Sequence, residues 1–415
     1  MNRKPQSNSA RVTRRTFNTG IGAAGFVAGT APFNIIRAAG GPLKVGVLLP
    51  RSGVQAGIGQ DCQRGVDVAT GILKSLGLPE LQIMNGDTET KVDVARSRAE
   101  QLISQGAQLL VGAFDSGQTT AIAQVAEQKG IPLVINIAAA PPITEQGYKF
   151  VFRNFPTGPM ILRDAFLNQK EVFKLTGSAP KTAVMLHVND TYGTAILNGT
   201  NAMFPKFDMP YKIVEKIAYD PAARDLSVEV AKAKATGAEA LYAVSRLNDA
   251  ILLTRELVKQ RWNPMAILSI GPGWYEDQYI KTLGKLSDGP ISLVPWYDPN
   301  KKVTKLLMAA LAKAHPGIGL NTNHVYTFEA LLTASDAYKR AGSADPKALA
   351  EAIRKTNITN NVSPGPGIMF NAKGQNDKLK CSAIQNRGGN TVTLAPKEAA
   401  NAKPEWPLKP YNRRG

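Results

Sequence analysis

Val45-Gly46-Val47-Leu48-Leu49-Pro50-Arg51-Ser52-Gly53 is the stretch on which the fold turns. A short apolar run closed by Pro50, leading into a glycine-rich loop as far as Gly59, reads as a strand buried on both faces. The same unit of short β-branched strand, loop and longer helical segment recurs down the chain, which predicts parallel sheets with helices on both faces. Strands are expected at 44–49, 81–85, 108–114, 132–137, 150–154, 182–187, 211–218, 240–244, 265–270 and 290–294. Helices are expected between them, at 93–105, 119–129, 226–236 and 249–260. So many strands exceed one small unit and predict an α/β protein of two Rossmann-like lobes. Proline and glycine at Phe155-Pro156-Thr157-Gly158-Pro159 and at Val294-Pro295-Trp296-Tyr297-Asp298-Pro299 mark two crossings between the lobes. Helices at 303–314, 326–340 and 346–355 follow the second crossing, and a β-rich return at 367–370 and 378–385 makes a third. Residues 41–156 with 297–377 are thus expected to form an N-terminal lobe and 157–296 with 378–395 a C-terminal lobe. Residues 396–415, with Pro404, Pro407 and Pro410, read as an irregular strap or loose tail.

The composition is that of an ordinary globular protein except in charge: 50 Lys and Arg against 32 Asp and Glu give +18. Residues 1–40 hold Arg3, Lys4, Arg11, Arg14, Arg15 and Arg37 and no acidic residue, so a third of the excess sits there. Thr13-Arg14-Arg15-Thr16-Phe17 precedes a small, glycine-containing apolar run from Gly20 to Thr30 and then Ala38-Ala39-Gly40. That order reads as a Tat-type signal peptide cleaved near Gly40, and hence as export to the periplasm, with a disordered basic arm as the alternative. Gly20-Ile21-Gly22-Ala23-Ala24-Gly25 matches a dinucleotide-binding fingerprint in letters only, since no strand precedes it. The first cysteine is Cys62, so no lipid anchor is expected; beyond the signal, no apolar run is long enough for a bilayer. The remaining +12 is diffuse, without the basic-aromatic pattern of nucleic-acid binding. Cys62 and Cys381 are read as two free, buried thiols, although an oxidising compartment permits a disulfide.

Enzyme signals are scarce. His187, His315 and His324 lack metal-ligand spacing, and no Walker sequence, HExxH or nucleophile elbow occurs. No enzyme activity, metal or cofactor is expected. Ligands of open α/β sheets bind beyond the carboxyl ends of the strands, which directs attention to the residues after each strand. These are Ser52; Phe114, Asp115 and Ser116; and Ala138, Ala139 and Ala140 in the first half. Tyr192 after the sixth strand, Arg246 after the eighth, Gly273, Trp274 and Tyr275 after the ninth, Trp296 at the second crossing and Tyr326 in a late helix complete the candidates. Ser116 stands where a helix N-terminus favours an anion, and equally where a plain cap would stand. Trp274 and Tyr275, two large rings in a glycine- and proline-flanked loop, are expected to wall a ligand cleft.

In this order and spacing the segments resemble the substrate-binding proteins of ABC importers in the leucine/isoleucine/valine-binding group. The resemblance rests on 45–53, on Val111-Gly112-Ala113-Phe114-Asp115-Ser116, on Asp190-Thr191-Tyr192-Gly193 and on 328–346, and it spans about 43–394. It implies a type I periplasmic binding protein: two lobes joined by three crossover strands, closing on a small solute. It also implies delivery of that solute to an inner-membrane ABC permease with its ATPase, and a monomer. The amino acid binders of that group hold their ligand with a serine, a threonine and a glutamate. Here Ser116 keeps the serine, whereas Ala140 and Gly273 stand in place of the other two. Without the glutamate an α-ammonium group loses its counter-charge, while Arg246 can pair with a carboxylate or lie solvated at a helix start. A small organic anion, an aromatic or branched-chain carboxylate, is therefore expected; an amino acid or amide, with Asp115 or Asp249 replacing the charge, is the alternative. A ligand-sensing module and an exported enzyme are the other classes open to such a chain.

Overall fold

A computed structural model describes residues 41–397 and 399–414; the expected signal peptide lies outside these residues. The first half alternates β1 (Leu43–Leu49), α1 (Ala56–Ser75), β2 (Leu81–Asp87), α2 (Val92–Ser104), β3 (Leu109–Gly112), α3 (Ser116–Lys129), β4 (Leu133–Ile135) and β5 (Val151–Arg153). The five strands form one parallel sheet in the order β2-β1-β3-β4-β5. Alternate β1 residues divide between the faces: Val45, Val47 and Leu49 share a core with Ile58 and Val66 of α1. Leu48 instead packs with Ala95 and Ala99 of α2. With both faces covered, the strand can be apolar almost throughout, the pattern its sequence shows.

The chain then crosses to a second unit: α4 (Gly158–Thr176), β6 (Thr182–Val188), α5 (Thr191–Met203), β7 (Lys212–Tyr219), α6 (Ser227–Ala235) and β8 (Ala240–Val244). It continues through α7 (Leu247–Lys259), β9 (Ala266–Ser269), α8 (Asp277–Leu283) and β10 (Ile291–Pro295). A second crossing leads to α9 (Lys302–Ala314), α10 (Thr322–Ala341) and α11 (Pro346–Arg354), of which α9 and α10 pack on α1 of the first unit. A short ribbon, β11 (Asn357–Ile358) with β12 (Ile368–Met369), precedes the third crossing. The chain ends in β13 (Cys381–Arg387) and β14 (Asn390–Ala395), completing a seven-stranded sheet ordered β14-β13-β10-β9-β8-β6-β7. β6 to β10 run parallel and β13 antiparallel.

Each sheet reverses its winding once, between β1 and β3 in the first and between β6 and β8 in the second. At such a switch point neighbouring loops leave in opposite directions and open a crevice at the carboxyl ends of the strands. The two crevices face one another, because Asp115, after β3, bonds directly to Arg246, after β8. The turn from β6 into α5 depends on Gly193: a Cβ there would lie 1.7 Å from the Val188 carbonyl oxygen. Residues 399–414 strap the second sheet's unit: Trp406 packs on Phe173 at 5.5 Å and the Leu408 N–H donates to the Met265 carbonyl. Cys62 and Cys381 are both buried and unpaired. No helix among the described residues is long and apolar enough to cross a membrane.

Candidate ligand site between the lobes

A cavity lies between the two switch points, taking in about 480 Å³ of space, part of it open to solvent. From the first lobe it is walled by Phe114 and Ser116 after β3 and by Ile137, Ala138 and Ala139 after β4. The second lobe contributes Ile161 of α4, Tyr192, Arg246, and Gly271, Pro272 and Tyr275 after β9. The crossings supply the rest: Phe155 at the first, Val294 and Pro295 at the second, and Thr322 and Asn323 at the start of α10. Arg246 is the one charged residue in this wall.

Asp115 caps α3, accepting hydrogen bonds from the Gly117 and Gln118 N–H groups at 2.8 and 3.1 Å. The other Asp115 oxygen accepts from Arg246 Nη2 at 3.0 Å and from Gln55 Nε2 at 3.3 Å. Asp190, the cap of α5, accepts from Arg246 Nε at 3.1 Å and also from Nη2. The guanidinium lies 5.3 Å from the Phe114 ring centre and 5.4 Å from that of Tyr192. Burial works against its charge, but Asp190 and Asp115 more than offset this and hold its pKa above the ordinary arginine value. Arg246 is thus no solvated helix-start residue, being 8 % exposed. It already bridges two protein carboxylates across the cleft, and among the described residues Nη1 has no protein acceptor. Asn248 adds a second tie across the cleft, donating to the Val54 carbonyl at 2.9 Å.

Of the candidates, Phe114, Ser116, Ala138, Ala139, Tyr192, Arg246 and Tyr275 line the cavity. Asp115 stands behind Arg246, and Ser52 is not in the wall, its N–H donating to Asp87 at 3.2 Å. Ala140 is covered, with its N–H at 3.4 Å from Ser116 Oγ and its carbonyl taken by Arg153. The three outlying aromatic candidates form a second layer. Trp274 is 0 % exposed, donates from Nε1 to Ser245 Oγ and packs on Tyr279. Trp296 packs edge-on against Tyr275, and Tyr326 edge-on against Phe155. Gly273 cannot stand in for a glutamate, because a Cβ there would lie 2.1 Å from the Arg246 carbonyl oxygen. Asp249 is engaged elsewhere, accepting from the Tyr219 hydroxyl and the Arg246 N–H.

The sequence reading passed over Phe155, Pro295, Thr322 and Asn323. The first two had a signal, since crossing segments necessarily run along the floor of the cleft. It also missed Glu276, buried beside the cavity, where it accepts from Asn323 Nδ2 at 3.0 Å. Burial, reinforced by Asp61, pushes the Glu276 carboxyl well above the usual carboxylate range.

The chain belongs to the periplasmic binding protein family, whose model matches residues 42–384, and is a solute-binding protein rather than an enzyme. A Leu/Ile/Val-binding protein homolog 8 from Brucella abortus (strain 2308) is 25% identical over 384 residues, covering 89% of this chain and 94% of that one. Among solved structures, a leucine-binding protein LivK from Thermotoga maritima MSB8 superposes with a TM-score of 0.73 at 21% identity, covering 85% of this chain and 98% of that one. A solute-binding protein of an ABC transporter from R. palustris, in complex with benzoate, gives a TM-score of 0.73 at 22% identity, covering 89% and 99%. These likenesses agree with the two-lobed type I fold expected from the sequence.

Proposed function

We propose that the protein is the exported, periplasmic receptor of an ABC importer and captures a small organic anion, an aromatic or branched-chain carboxylate, for its permease and ATPase. The lobes are taken as 41–156 with 297–377 and 157–296 with 378–395, hinged near Pro156, Pro295 and Lys378. The observation that carries the ligand class is the wall of the cavity: rings and aliphatic side chains, one arginine and no carboxylate. The rings bury an apolar body, and Arg246 Nη1 with the Ser116 hydroxyl offers donors to a carboxylate. Benzoate in the R. palustris structure is a precedent for such a solute on this fold. A cationic α-ammonium group would find no carboxylate among the residues of the wall. Closure follows from contacts the solute makes with both lobes at once, which stabilise the closed state by their differential free energy.

Titration calorimetry of the purified protein against benzoate, phenylacetate, isovalerate, leucine and phenylalanine tests the reading. Saturable binding of at least one acid is expected, weakened about tenfold or more in Arg246→Gln. Binding of leucine or phenylalanine with none of the acids overturns it.

A further inference from the structure

Arg153, the last residue of β5, is 0 % exposed and meets no carboxylate within ion-pair distance among the described residues. Its donors go to neutral oxygens: Nε to Gln375 Oε1 at 2.6 Å, Nη2 to Thr144 Oγ1 at 2.6 Å, and Nη1 to the carbonyls of Ala138 and Ala140 at 3.0 and 2.7 Å. The carboxylate that acts on it electrostatically, Glu145, is exposed and farther off. Burial lowers the Arg153 pKa to about 9, which leaves it charged at neutral pH. Hydrogen bonds satisfy the guanidinium but do not balance its charge, and a buried cation without a counter-charge is destabilising.

The peptide joining Ala138 to Ala139 stands between this cation and the cavity. In a trans peptide the C=O and N–H point to opposite sides. With the Ala138 carbonyl drawn toward Arg153, the Ala139 N–H points the other way. Ala138 and Ala139 both line the cavity, and the Ala139 N–H meets no protein acceptor among the described residues. A cation on the carbonyl side polarises the peptide and strengthens the donor on the other side.

Resting on the organic-anion reading above, we propose that Arg153 is the buried counter-charge of the bound solute's carboxylate, acting through the Ala138–Ala139 peptide as a positioning residue. It selects an acid over its neutral isostere without touching it.

The test uses benzoate and benzamide with the wild type, Arg153→Gln and Arg153→Lys, or isovalerate and isovaleramide if only the aliphatic acid binds. The wild type is expected to prefer the acid; Arg153→Gln loses about tenfold or more of acid affinity with amide affinity changed less than about threefold, and Arg153→Lys keeps the preference. Equal losses for acid and amide overturn the proposal and make Arg153 merely structural, as does a wild type that binds both alike. Should the variants fail to fold, amide NMR of the wild type decides: the Ala139 N–H resonance is expected to move further on adding acid than amide, and equal movement overturns the proposal. If no acid binds the wild type, the organic-anion reading itself falls, and this proposal with it.

Discussion

Trp274 shows how far a residue's type misleads when its loop has no period. A large ring between glycine and proline reads as a cleft wall, and Tyr275 beside it is one. The turn at Pro272–Trp274 instead carries the indole into the core of the second lobe, where Ser245 Oγ satisfies its N–H. Trp274→Ala is therefore expected to cost about 3–5 kcal/mol in urea unfolding. Trp274→Phe, which keeps the ring and loses the hydrogen bond, is expected to cost about 1 kcal/mol. Acid affinity should stay within about threefold in the phenylalanine variant; a larger loss would return Trp274 to the ligand. The adjacent Tyr275 carries the same expectation from the sequence, and only the fold separates the two: its ring packs against Trp296 at the crossing instead of entering the core.

At the scale of elements, every strand expected from the alternation is present, with ends shifted by a few residues. The helices differ more, and α10 most. The sequence places its start at Tyr326, whereas it begins at Thr322 under an Asn321 cap that accepts from the Asn323 and His324 N–H groups. Buried on nearly every side, α10 lacks the polar face that would mark its first turn. Its Glu329 is fully buried and ties the end of β5 to the loop between β11 and β12. One carboxylate oxygen accepts from Asn361 Nδ2, Val362 N and Ser363 N; the other accepts from Asn154 Nδ2 and Ser363 Oγ. Glu329→Gln turns an amide donor toward this ring of donors and is expected to lose about 2–4 kcal/mol in denaturant unfolding. A loss below about 1 kcal/mol would show that this ring of hydrogen bonds contributes little to stability.

For the whole molecule, the buried ionisable groups set the response to pH. His324 is 0 % exposed, and its Nδ1 accepts from the Asn321 N–H, which leaves the proton of the neutral ring on Nε2. Burial lowers its pKa to about 3 from 6.5. The unfolded chain takes up a proton below pH 6.5 that the folded one refuses, so stability is lost as pH falls from 6.5 toward about 3. Asp249 acts in the opposite sense: burial raises it to about 6, so its contribution is present at low pH and is lost as pH rises through 6. His324→Asn keeps an acceptor for Asn321 and removes the first effect. Its unfolding free energy relative to the wild type should rise steadily as pH is lowered from 6.5 to 4, and a pH-independent difference would show that His324 titrates normally in the fold.

The sequence by itself determined the local order of the chain, because strand and helix periods and the turn residues that end them are short-range properties. From that order came the two-lobed α/β architecture, the crossings and the loops beyond the carboxyl ends of the strands. Part of the +18 that first marks the composition also resolved into the basic segment at 1–40. Only the tertiary structure decided which loop residues face the cavity. It brought Arg246 between Asp115 and Asp190, put Trp274 in the core, and set a buried carboxyl, Glu276, and a lone cation, Arg153, behind the wall. Those outcomes depend on which switch-point loops meet across the cleft and on how completely each charge is desolvated, and residues more than 50 positions apart in the chain settle both together.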